Sequence, residues 1–452
     1  MSLFQLPMAP PSPDHGVSSM YMQKVEPNQP LREDAGFGSQ KIQFQINPAA
    51  NEWFVPNRSY FRIRFEVKVV NDPGNGFVPI GAEVVTGGAD ATKAEYRWVP
   101  AYGMCSRLFN GCNFYVGSTL VSSISSNLPQ VDTVHKRTTL SRTQLETTEG
   151  FYQSSPSARL GQLLGIADPG AESLDGAGAP ALANATATTF ETVWSPPLGI
   201  SDIAHGMPSG QYRWEFNGNP TFAKDVCDGL GQGERAPGVD YQFTMRGMVL
   251  YACFARGPSG EDTKFALNMK QIRVQGAQLS DTANNTSLQL KNFDVEPDTS
   301  ALAIAFQGTA SNVSGVNQYG GPGLFKIGAA GQQKNLQRWY LSYDNAVYPP
   351  EQNEDLYGGT AAQIQQRYRD NMTQTGMIYS PGGAETLDQW LRQVGPYYLV
   401  NWPRVQGTAT RVQVNAQLPT TEAAQVLLIS ISEQSFLIRT SDGKVRKVEI
   451  GE

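Results

Sequence analysis

The stretch "SYFRIRFEVKVV", residues 59–70, alternates strictly between apolar and charged side chains. Large apolar side chains occupy every second position from Phe61 to Val69, and arginine, glutamate or lysine occupies the positions between them. A period of two is typical of a β-strand with one face in a core and the other in solvent or against a neighbour. The stretch therefore predicts an extended strand, and its charged face needs a partner or solvent.

The same alternation recurs in both halves of the chain, in "KIQFQIN" (41–47), "QYRWEFN" (211–217), "KFALNM" (264–269), "ALAIAF" (301–306) and "RVQVNAQLP" (411–419). Two-residue turns predict hairpins within "FYVGSTLV" (114–121) and "RWYLSYDNAVYPP" (338–350). Helical spacing is confined to short segments, at 105–109, 364–372 and 387–394. Each half thus predicts a β-sandwich. The fold class expected is all-β, with two tandem eight-stranded jelly-roll sandwiches, a few short helices and long loops. Periodicity alone leaves an immunoglobulin-like sandwich open.

Composition changes along the chain suggest four segments. Residues 1–38 are rich in proline and aperiodic, which predicts a flexible or partner-ordered arm. The first jelly roll is expected at 39–256, with long loops at 71–97 and 149–190. The second is expected at 257–438, and 439–452 is expected to be a terminal tail.

The charge and cysteine content exclude several classes of protein. The chain has 452 residues, a formal net charge of −6 and no run of like charges, so a basic genome-condensing arm and sequence-specific nucleic-acid binding are not expected. No apolar stretch reaches the ~20 residues that span a bilayer, and the N-terminus does not resemble a signal peptide. A soluble protein made in a reducing compartment is predicted. Four cysteines without a CxxC pair are expected to be buried free thiols: Cys105, Cys112, Cys227 and Cys253.

Few residues suggest catalytic chemistry. The three histidines, His15, His135 and His205, lie in separate contexts and form no metal-binding spacing, so each is expected on the surface or in a satisfied core position. The pattern Gly231-x-Gly233-x-x-Ala236 partly matches the glycine-rich loop of dinucleotide-binding proteins. Pro237 and Gly238 follow it and disfavour the helix that such a loop requires.

Carboxylates and exposed aromatics are the remaining candidates for an enzyme or a lectin. Asp344 is expected in a hairpin turn, Asp388 on a polar helix face and Asp370 next to Arg369, each as a turn former or solvated charge rather than in a catalytic pair. Trp53 and Trp194 lie near predicted turns and are the weaker candidates for a sugar platform. The sequence therefore predicts no catalytic, cofactor-binding or metal-binding residue and no enzyme activity. A structural protein is the expected class.

The order of the motifs resembles that of the double-jelly-roll major capsid proteins of virophages and polinton-like viruses, and more distantly those of tectiviruses, adenoviruses and the large nucleocytoplasmic viruses. The resemblance spans about residues 38–438 and rests on order and pattern. It is carried by "WFVPNRSYFRIRFEV" (53–67), "CSRLFNGCNFYVGSTLVSS" (105–123), "FETVWSPPLGISDIAHGMPSGQYRWEFN" (190–217), "FDVEPDTSALAIAFQG" (293–308), "NLQRWYLSYDNAVYPPEQ" (335–352) and "YYLVNWPRVQGTATRVQVNAQLP" (397–419).

The resemblance implies a homotrimer with a pseudo-hexagonal outline that tiles the facets of an icosahedral virion. The loops 71–97, 149–190 and 310–333 would then form outer towers and interlock the trimer. The arm and the tail would lie beneath the shell, against penton, minor or cement proteins, an inner membrane or the genome. Synthesis in the host cytoplasm or nucleus follows. Two alternatives stay open: another virion component such as a penton or spike, and a β-sandwich carbohydrate-binding or carbohydrate-active protein.

Overall fold

The computed structural model describes most of both predicted β-domains. The described residues are 19–32, 34–71, 84–85, 93–94, 98–152, 187–204, 206–208, 210–229, 240–256, 264–279, 288–308, 338–343, 346–353, 361–378, 387, 390, 397–402, 410–417, 424–439 and 445–448.

The elements before residue 257 make up the first roll. Its strands are β1 (Ser19–Val25), β2 (Lys41–Ile46), β3 (Glu52–Phe54), β4 (Tyr60–Asn71), β5 (Val84–Val85), β6 (Lys93–Ala94), β7 (Trp98–Pro100), β8 (Phe109–Val116), β9 (Thr119–Ile124), β10 (Ala187–Trp194), β11 (Tyr212–Gly218), β12 (Cys227–Gly229) and β13 (Asp240–Arg256). Its helices are α1 (Met104–Arg107), α2 (Leu128–Thr139), α3 (Arg142–Thr147) and α4 (Phe222–Asp225), with 3-10 turns at Asp34–Ser39, Pro56–Arg58 and Gly199–Asp202.

The elements after residue 257 make up the second roll. Its strands are β14 (Lys264–Leu279), β15 (Gln289–Val295), β16 (Thr299–Gly308), β17 (Arg338–Tyr343), β18 (Ala346–Asn353), β19 (Tyr397–Asn401), β20 (Thr410–Gln417), β21 (Ala424–Arg439) and β22 (Val445–Val448). One long helix, α5 (Ala361–Ile378), lies between β18 and β19.

The two rolls have the same strand order. In the first roll, sheet A has the order β1-β13-β4-β10 and sheet B the order β2-β11-β8-β9, with β3 added beside β13. In the second roll, sheet C has the order β14-β21-β16-β19 and sheet D the order β15-β20-β17-β18, with β22 added beside β21. Numbering the eight main strands of each roll from first to last gives 1-8-3-6 and 2-7-4-5 in both. Two four-stranded antiparallel sheets connected in this way are a jelly roll, so the predicted fold class is confirmed.

The opening stretch forms β4, near the middle of sheet A. Phe61, Ile63 and Phe65 are buried, and Phe61 packs against sheet B with its ring centroid 4.9 Å from that of Phe216 and 5.1 Å from that of Phe44. Arg62 and Arg64 lie on the opposite, exposed face. The alternation therefore identified the core face correctly.

Two segments assigned to termini contain strands. Part of the expected arm, β1, pairs with β13 from Ser19↔Arg256 to Val25↔Leu250, and part of the expected tail, β22, pairs with β21. Both lie beside a longer strand near a sheet edge, and β1, whose side chains are exposed or half-buried, lacks a strict apolar alternation. Residues 1–18, most of the arm, lie outside the described residues.

The ends of one predicted loop are also ordered. In the stretch 149–190, Gly150, Phe151 and Tyr152 are buried, and residues from 187 onward belong to β10. The two large aromatic side chains fill the core beside α1 and α2, which the surrounding polar composition concealed. Within 71–97, β5 pairs with β6 and the remaining loop residues are largely outside the description, as are all of 310–333.

The predicted hairpins and the helix at 364–372 are confirmed. Strand β8 pairs with β9 around Gly117, whose φ of 59° is favourable for glycine, and β17 pairs with β18. Helix α5 contains 364–372, whereas 387–394 is described only at Leu387 and Trp390. Helices α2 and α3 were not predicted.

Candidate functional site at the junction of the two rolls

The outer face of sheet C, the side turned away from sheet D, is apolar and buried. Phe306 on the inner side contacts Trp339 of β17, which places the alternate residues of β16 on the outer side. These outer residues are at most 5% exposed, as are their register partners on β21 and β19: Ala301, Ala303, Ala305, Ile431, Ile429, Leu427, Leu399 and Tyr397. A second roll standing alone would expose such a surface, so another part of the chain covers it.

The first roll provides that cover. At one corner of sheet C, the Arg137 guanidinium of α2 lies over the Tyr397 ring, 4.6 Å from its centroid. At the other corner, Gln271 of β14 donates a 2.6 Å hydrogen bond from its Nε2 to the Val121 carbonyl of β9. The turn Gly199–Asp202 also contacts β14 there. Contacts at both corners hold the two rolls in one relative orientation.

Gly199 packs directly against the backbone of the second roll. A Cβ atom added at Gly199 would lie 1.9 Å from the Lys270 carbonyl oxygen, a distance that requires the backbone to move. Desolvation would raise the pKa of the neighbouring Asp202, but the attraction of His135, Lys270 and Lys136 outweighs it and holds that pKa below its ordinary value. The Asp202 Oδ2 atom lies 3.4 Å from His135 Nε2 of α2. The junction is therefore tightly packed and partly ionic.

Substituting Gly199 tests whether the junction couples the rolls. We expect Gly199→Ala to convert one cooperative thermal transition into two, because the added methyl group separates the rolls at Lys270. Differential scanning calorimetry measures this. Gly247→Ala is the matched control, since a Cβ there meets only the Arg64 Cβ at 3.8 Å. A single unshifted transition in Gly199→Ala would contradict the coupling.

A buried polar cluster connects α2 to Glu149, Tyr152 and Trp194 of the first roll. Asp132 Oδ2 accepts hydrogen bonds from the Tyr152 hydroxyl and from Trp194 Nε1, the latter at 3.0 Å. Lys136 Nζ is paired with Glu149 and lies 3.9 Å from Asp132 Oδ1. Burial raises the pKa of Glu149, and burial together with the Asp132 charge raises the pKa of Tyr152. Charges removed from water in this way are stable only while they are paired, so the cluster fixes the position of α2.

The outer face of sheet A, the counterpart of the covered face of sheet C, is only partly covered by the described residues: Arg62 and Arg64 are exposed there, whereas Glu66, Thr244 and Cys253 on the same face are buried. Arg62 and Arg64 flank Glu191, and the Tyr60 and Tyr251 rings stack beside them with centroids 5.4 Å apart. Exposed apolar side chains lie on the same face, Met22 at 42% and Val193 at 37%. Sheets A and C thus have equivalent positions in the two rolls, and the outer face of sheet A is the more exposed of the two.

Sheet B carries a carboxylate network on its outer face. Glu215 of β11 is buried and accepts hydrogen bonds from Gln43, Asn113 and Tyr115, and it forms a 2.7 Å ion pair with Lys41. Desolvation would raise the pKa of Glu215, but the hydrogen bonds from Lys41, Gln43 and Asn113 outweigh it and hold the pKa below 4.5. Ionised Glu215 therefore stabilises the first roll.

The contribution of Glu215 should depend on pH. Because its pKa is lower in the folded chain than in the unfolded chain, its stabilisation is fully present above pH 4.5 and is lost as the pH falls through the folded-state value. We expect the gap in unfolding free energy between the natural chain and Glu215→Gln to close on acidification. Denaturant titrations between pH 7 and the acid limit of folding measure it. A gap that widens in acid would contradict the assignment.

The sequence-predicted candidates are scattered. His135 lies at the junction, and His15 and His205 lie outside the described residues, as do Gly231, Gly233, Ala236, Asp344 and Asp388. Asp370 lies on α5. Among the residues described, no group of three or more His, Cys, Asp or Glu could hold a metal ion, and no helix is long and apolar enough to cross a membrane.

The described cysteine side chains and Trp194 are buried, and Trp53 is half-buried. Cys105, Cys112 and Cys253 are buried free thiols, as predicted, and the side chain of Cys227 lies outside the description. Burial raises the pKa of Cys105 and of Cys112. Trp194 is fully buried on Asp132, so it cannot stack on a sugar, and Trp53 is half-buried against the small cluster of Val55, Cys253 and Ala255.

Neither helices α2 and α3 nor the contact that α2 makes with the second roll was predicted from the sequence. Asp132 and Lys136 have the i,i+4 spacing of a helical ion pair, and Ser141 with Gln144 forms a capping box that begins α3. These signals were present in "NLPQVDTVHKRTTLSRTQLE" (127–146). Nothing in the sequence, however, indicates that α2 contacts a sheet that begins more than 120 residues further along the chain.

Comparison with solved structures identifies proteins of the same fold. A chain in the cryo-EM structure of the Sputnik virophage superposes with a TM-score of 0.60 at 10% identity, covering 96% of this chain and 89% of that chain. The mavirus major capsid protein superposes with a TM-score of 0.59 at 10% identity, covering 99% and 93%. A chain of the PBCV-1 virus capsid gives 0.52 at 9% identity, covering 96% and 97%. No protein-family model and no curated protein matches the sequence. The likeness establishes the double-jelly-roll fold.

Proposed function

We propose that this chain is a structural major capsid protein and that three copies form a pseudo-hexagonal capsomer of an icosahedral shell. The fold is shared over nearly the whole length with the mavirus major capsid protein, at an identity too low to carry function by itself. The observation that carries the proposal is the difference between sheets A and C. One outer face is buried throughout its central strands, and its counterpart exposes apolar and charged groups, among them Met22, Val193 and Arg62.

The different exposure of the outer faces of sheets A and C is explained if the junction between the two rolls is repeated between neighbouring copies of the chain. In the first roll, α2 follows β9 and contacts the outer face of sheet C through Arg137 on Tyr397. In the second roll, α5 follows β18 at the equivalent point of the strand order. Helix α5 caps the free edge of β19, where Leu399 N donates to Asn371 Oδ1 at 2.8 Å and Asn401 N to Gln374 Oε1 at 2.9 Å. Its Gln365, Gln366 and Arg369 side chains are exposed.

In the proposed assembly, α5 of one copy lies over the outer face of sheet A in the next copy, as α2 lies over sheet C. Such a contact is head-to-tail and closes into a ring when the rotation divides a full turn. Three chains then place six similar rolls around one axis. The charged face of "SYFRIRFEVKVV" is thereby assigned to a subunit interface, and Met22 and Val193 become buried there.

The remaining parts of the chain are assigned by the same proposal. The rolls divide at residue 257, between the end of β13 at Arg256 and the start of β14 at Lys264. The loops 71–97, 149–190 and 310–333 form the outward end of the capsomer and its interlock. Neighbouring capsomers, penton and minor or cement proteins are the expected partners, and residues 1–18 and the last residues are available to them, to an inner membrane or to the genome. The protein would be part of the virion after synthesis in the host cytoplasm or nucleus.

The mass in solution tests the proposal. We expect sedimentation equilibrium of the purified chain to give about 148 kDa, three times the chain mass of 49.2 kDa, with no monomer at micromolar concentration. Obligate interfaces that bury upwards of ~2,000 Å² support that stability. A monomer at all concentrations would contradict the trimer. Binding of a glycan by such a monomer would favour the carbohydrate-binding alternative.

A further inference from the structure

The cluster beneath α2 brings together an amine, a carboxyl group and a second carboxylate in a dry site. Asp132 is 0% exposed and Lys136 is 3% exposed, and they lie one helical turn apart on α2. Asp132 Oδ1 accepts no hydrogen bond and lies 3.9 Å from Lys136 Nζ. Glu149 contacts the same Nζ atom. A buried carboxylate oxygen that faces an amine and has no other partner is available for reaction with it.

The surrounding groups suit acyl transfer at Asp132. The Tyr152 hydroxyl and Trp194 Nε1 both donate to Asp132 Oδ2, which is where negative charge develops when an amine attacks the carboxyl carbon. Glu149 contacts the amine and can take its proton, and burial raises the pKa of Glu149, which favours that transfer. The reacting groups are held as neighbours on one helix, so little additional orientation is needed.

We propose that Lys136 and Asp132 form a side-chain amide without any added cofactor. One proton of the Lys136 ammonium passes to Asp132 Oδ1, which leaves a neutral amine and a neutral carboxylic acid. The amine nitrogen then bonds to the Asp132 carboxyl carbon and passes a second proton to Glu149. Charge on Oδ2 is held by Tyr152 and Trp194. Glu149 returns its proton to the Oδ1 hydroxyl, the carbon–Oδ1 bond breaks and water leaves. An ammonium and a carboxylate become an amide and one water molecule.

The amide changes the charges of the site, and Glu149 is left without its ammonium partner. The amide removes one positive and one negative charge from a place where both are costly to desolvate. Glu149 returns the proton that it takes, so its protonation state is the same before and after the reaction. The cross-link closes one turn of α2, the helix that covers sheet C. It therefore stiffens the element on which the relative orientation of the rolls depends.

Intact-mass spectrometry of the purified, denatured chain tests the amide. We expect a mass lower than that calculated from the sequence by one water. Fragmentation of the peptide containing 132–136 should give no separated backbone fragments between these two residues. Lys136→Arg and Glu149→Gln should both show the full calculated mass. The control Lys41→Arg, at an exposed lysine that also pairs with a glutamate, should keep the deficit.

Two results would overturn the amide. The first is a natural chain with its full calculated mass, which needs no variant to fold. The second is a deficit of one water that persists in Lys136→Arg or maps outside 132–136, since dehydration at another site, such as Asp228-Gly229, has the same mass change.

Discussion

Replacing Lys136 by methionine should lower the free energy of unfolding by about 3–5 kcal/mol, the loss expected when one partner of a buried ionic cluster is removed. Methionine fills a similar volume but leaves Asp132 and Glu149 beside each other with no positive charge between them. If Lys136 is bound to Asp132 through an amide, the substitution instead restores the buried Asp132 carboxylate with no positive charge beside it. Urea denaturation at fixed protein concentration measures the change.

The matched control is Lys41→Met. Lys41 also pairs with a glutamate, Glu215, but its side chain is 57% exposed, so solvent screens the pair and the expected loss is about 1 kcal/mol or less. Gln43 and Asn113 remain to bind Glu215. If Lys136→Met costs no more than Lys41→Met, the buried cluster does not hold α2 in place.

Substituting Val193 by aspartate should dissociate the proposed trimer. Val193 lies on the outer face of sheet A, pairs in register with Arg62 and is 37% exposed in the single chain, so aspartate is tolerated there before assembly. In the assembled ring the new carboxylate is removed from water against α5 of the next copy, and the cost of desolvating a charge opposes assembly even with Arg62 opposite. We expect assembly to weaken by at least about 100-fold, which corresponds to roughly 2.7 kcal/mol.

Leu290→Asp serves as the control for assembly. Leu290 is 54% exposed on β15, at the edge of sheet D, and the proposed contact does not use that face. Sedimentation velocity over a concentration series, with circular dichroism to confirm folding, compares the two variants. The proposed interface would be wrong if Val193→Asp remained trimeric, or if Leu290→Asp dissociated to the same extent.

The sequence predicted the strands that have one buried face and missed those that do not. Strand β4 and its counterpart β16 lie inside their sheets, so burial imposes the alternation that can be read directly. Strand β1 is an edge strand, and its polar alternation was taken for part of an arm. Helix α2 was missed because most of its side chains are buried among polar partners such as Asp132 and Lys136, which removes the amphipathic contrast.

The candidate site was less predictable than the fold. The alanines of β16 alternate with larger residues, as for a solvent-facing side, yet they are buried in the chain. That relation depends on how two separate sandwiches pack, and periodicity within a strand does not contain it. The charged side of β4 was recognised correctly as an outer face. That α5 of a neighbouring copy covers it is inferred only by comparing sheet A with sheet C.

Negative-stain electron microscopy of the purified chain tests the central proposal most directly, because it reports both the number of rolls and their arrangement. The proposal predicts three-fold particles with six lobes and a pseudo-hexagonal outline, and Val193→Asp should reduce them to two-lobed single chains. Natural protein that shows only two-lobed particles, at concentrations where the trimer should be complete, would contradict it.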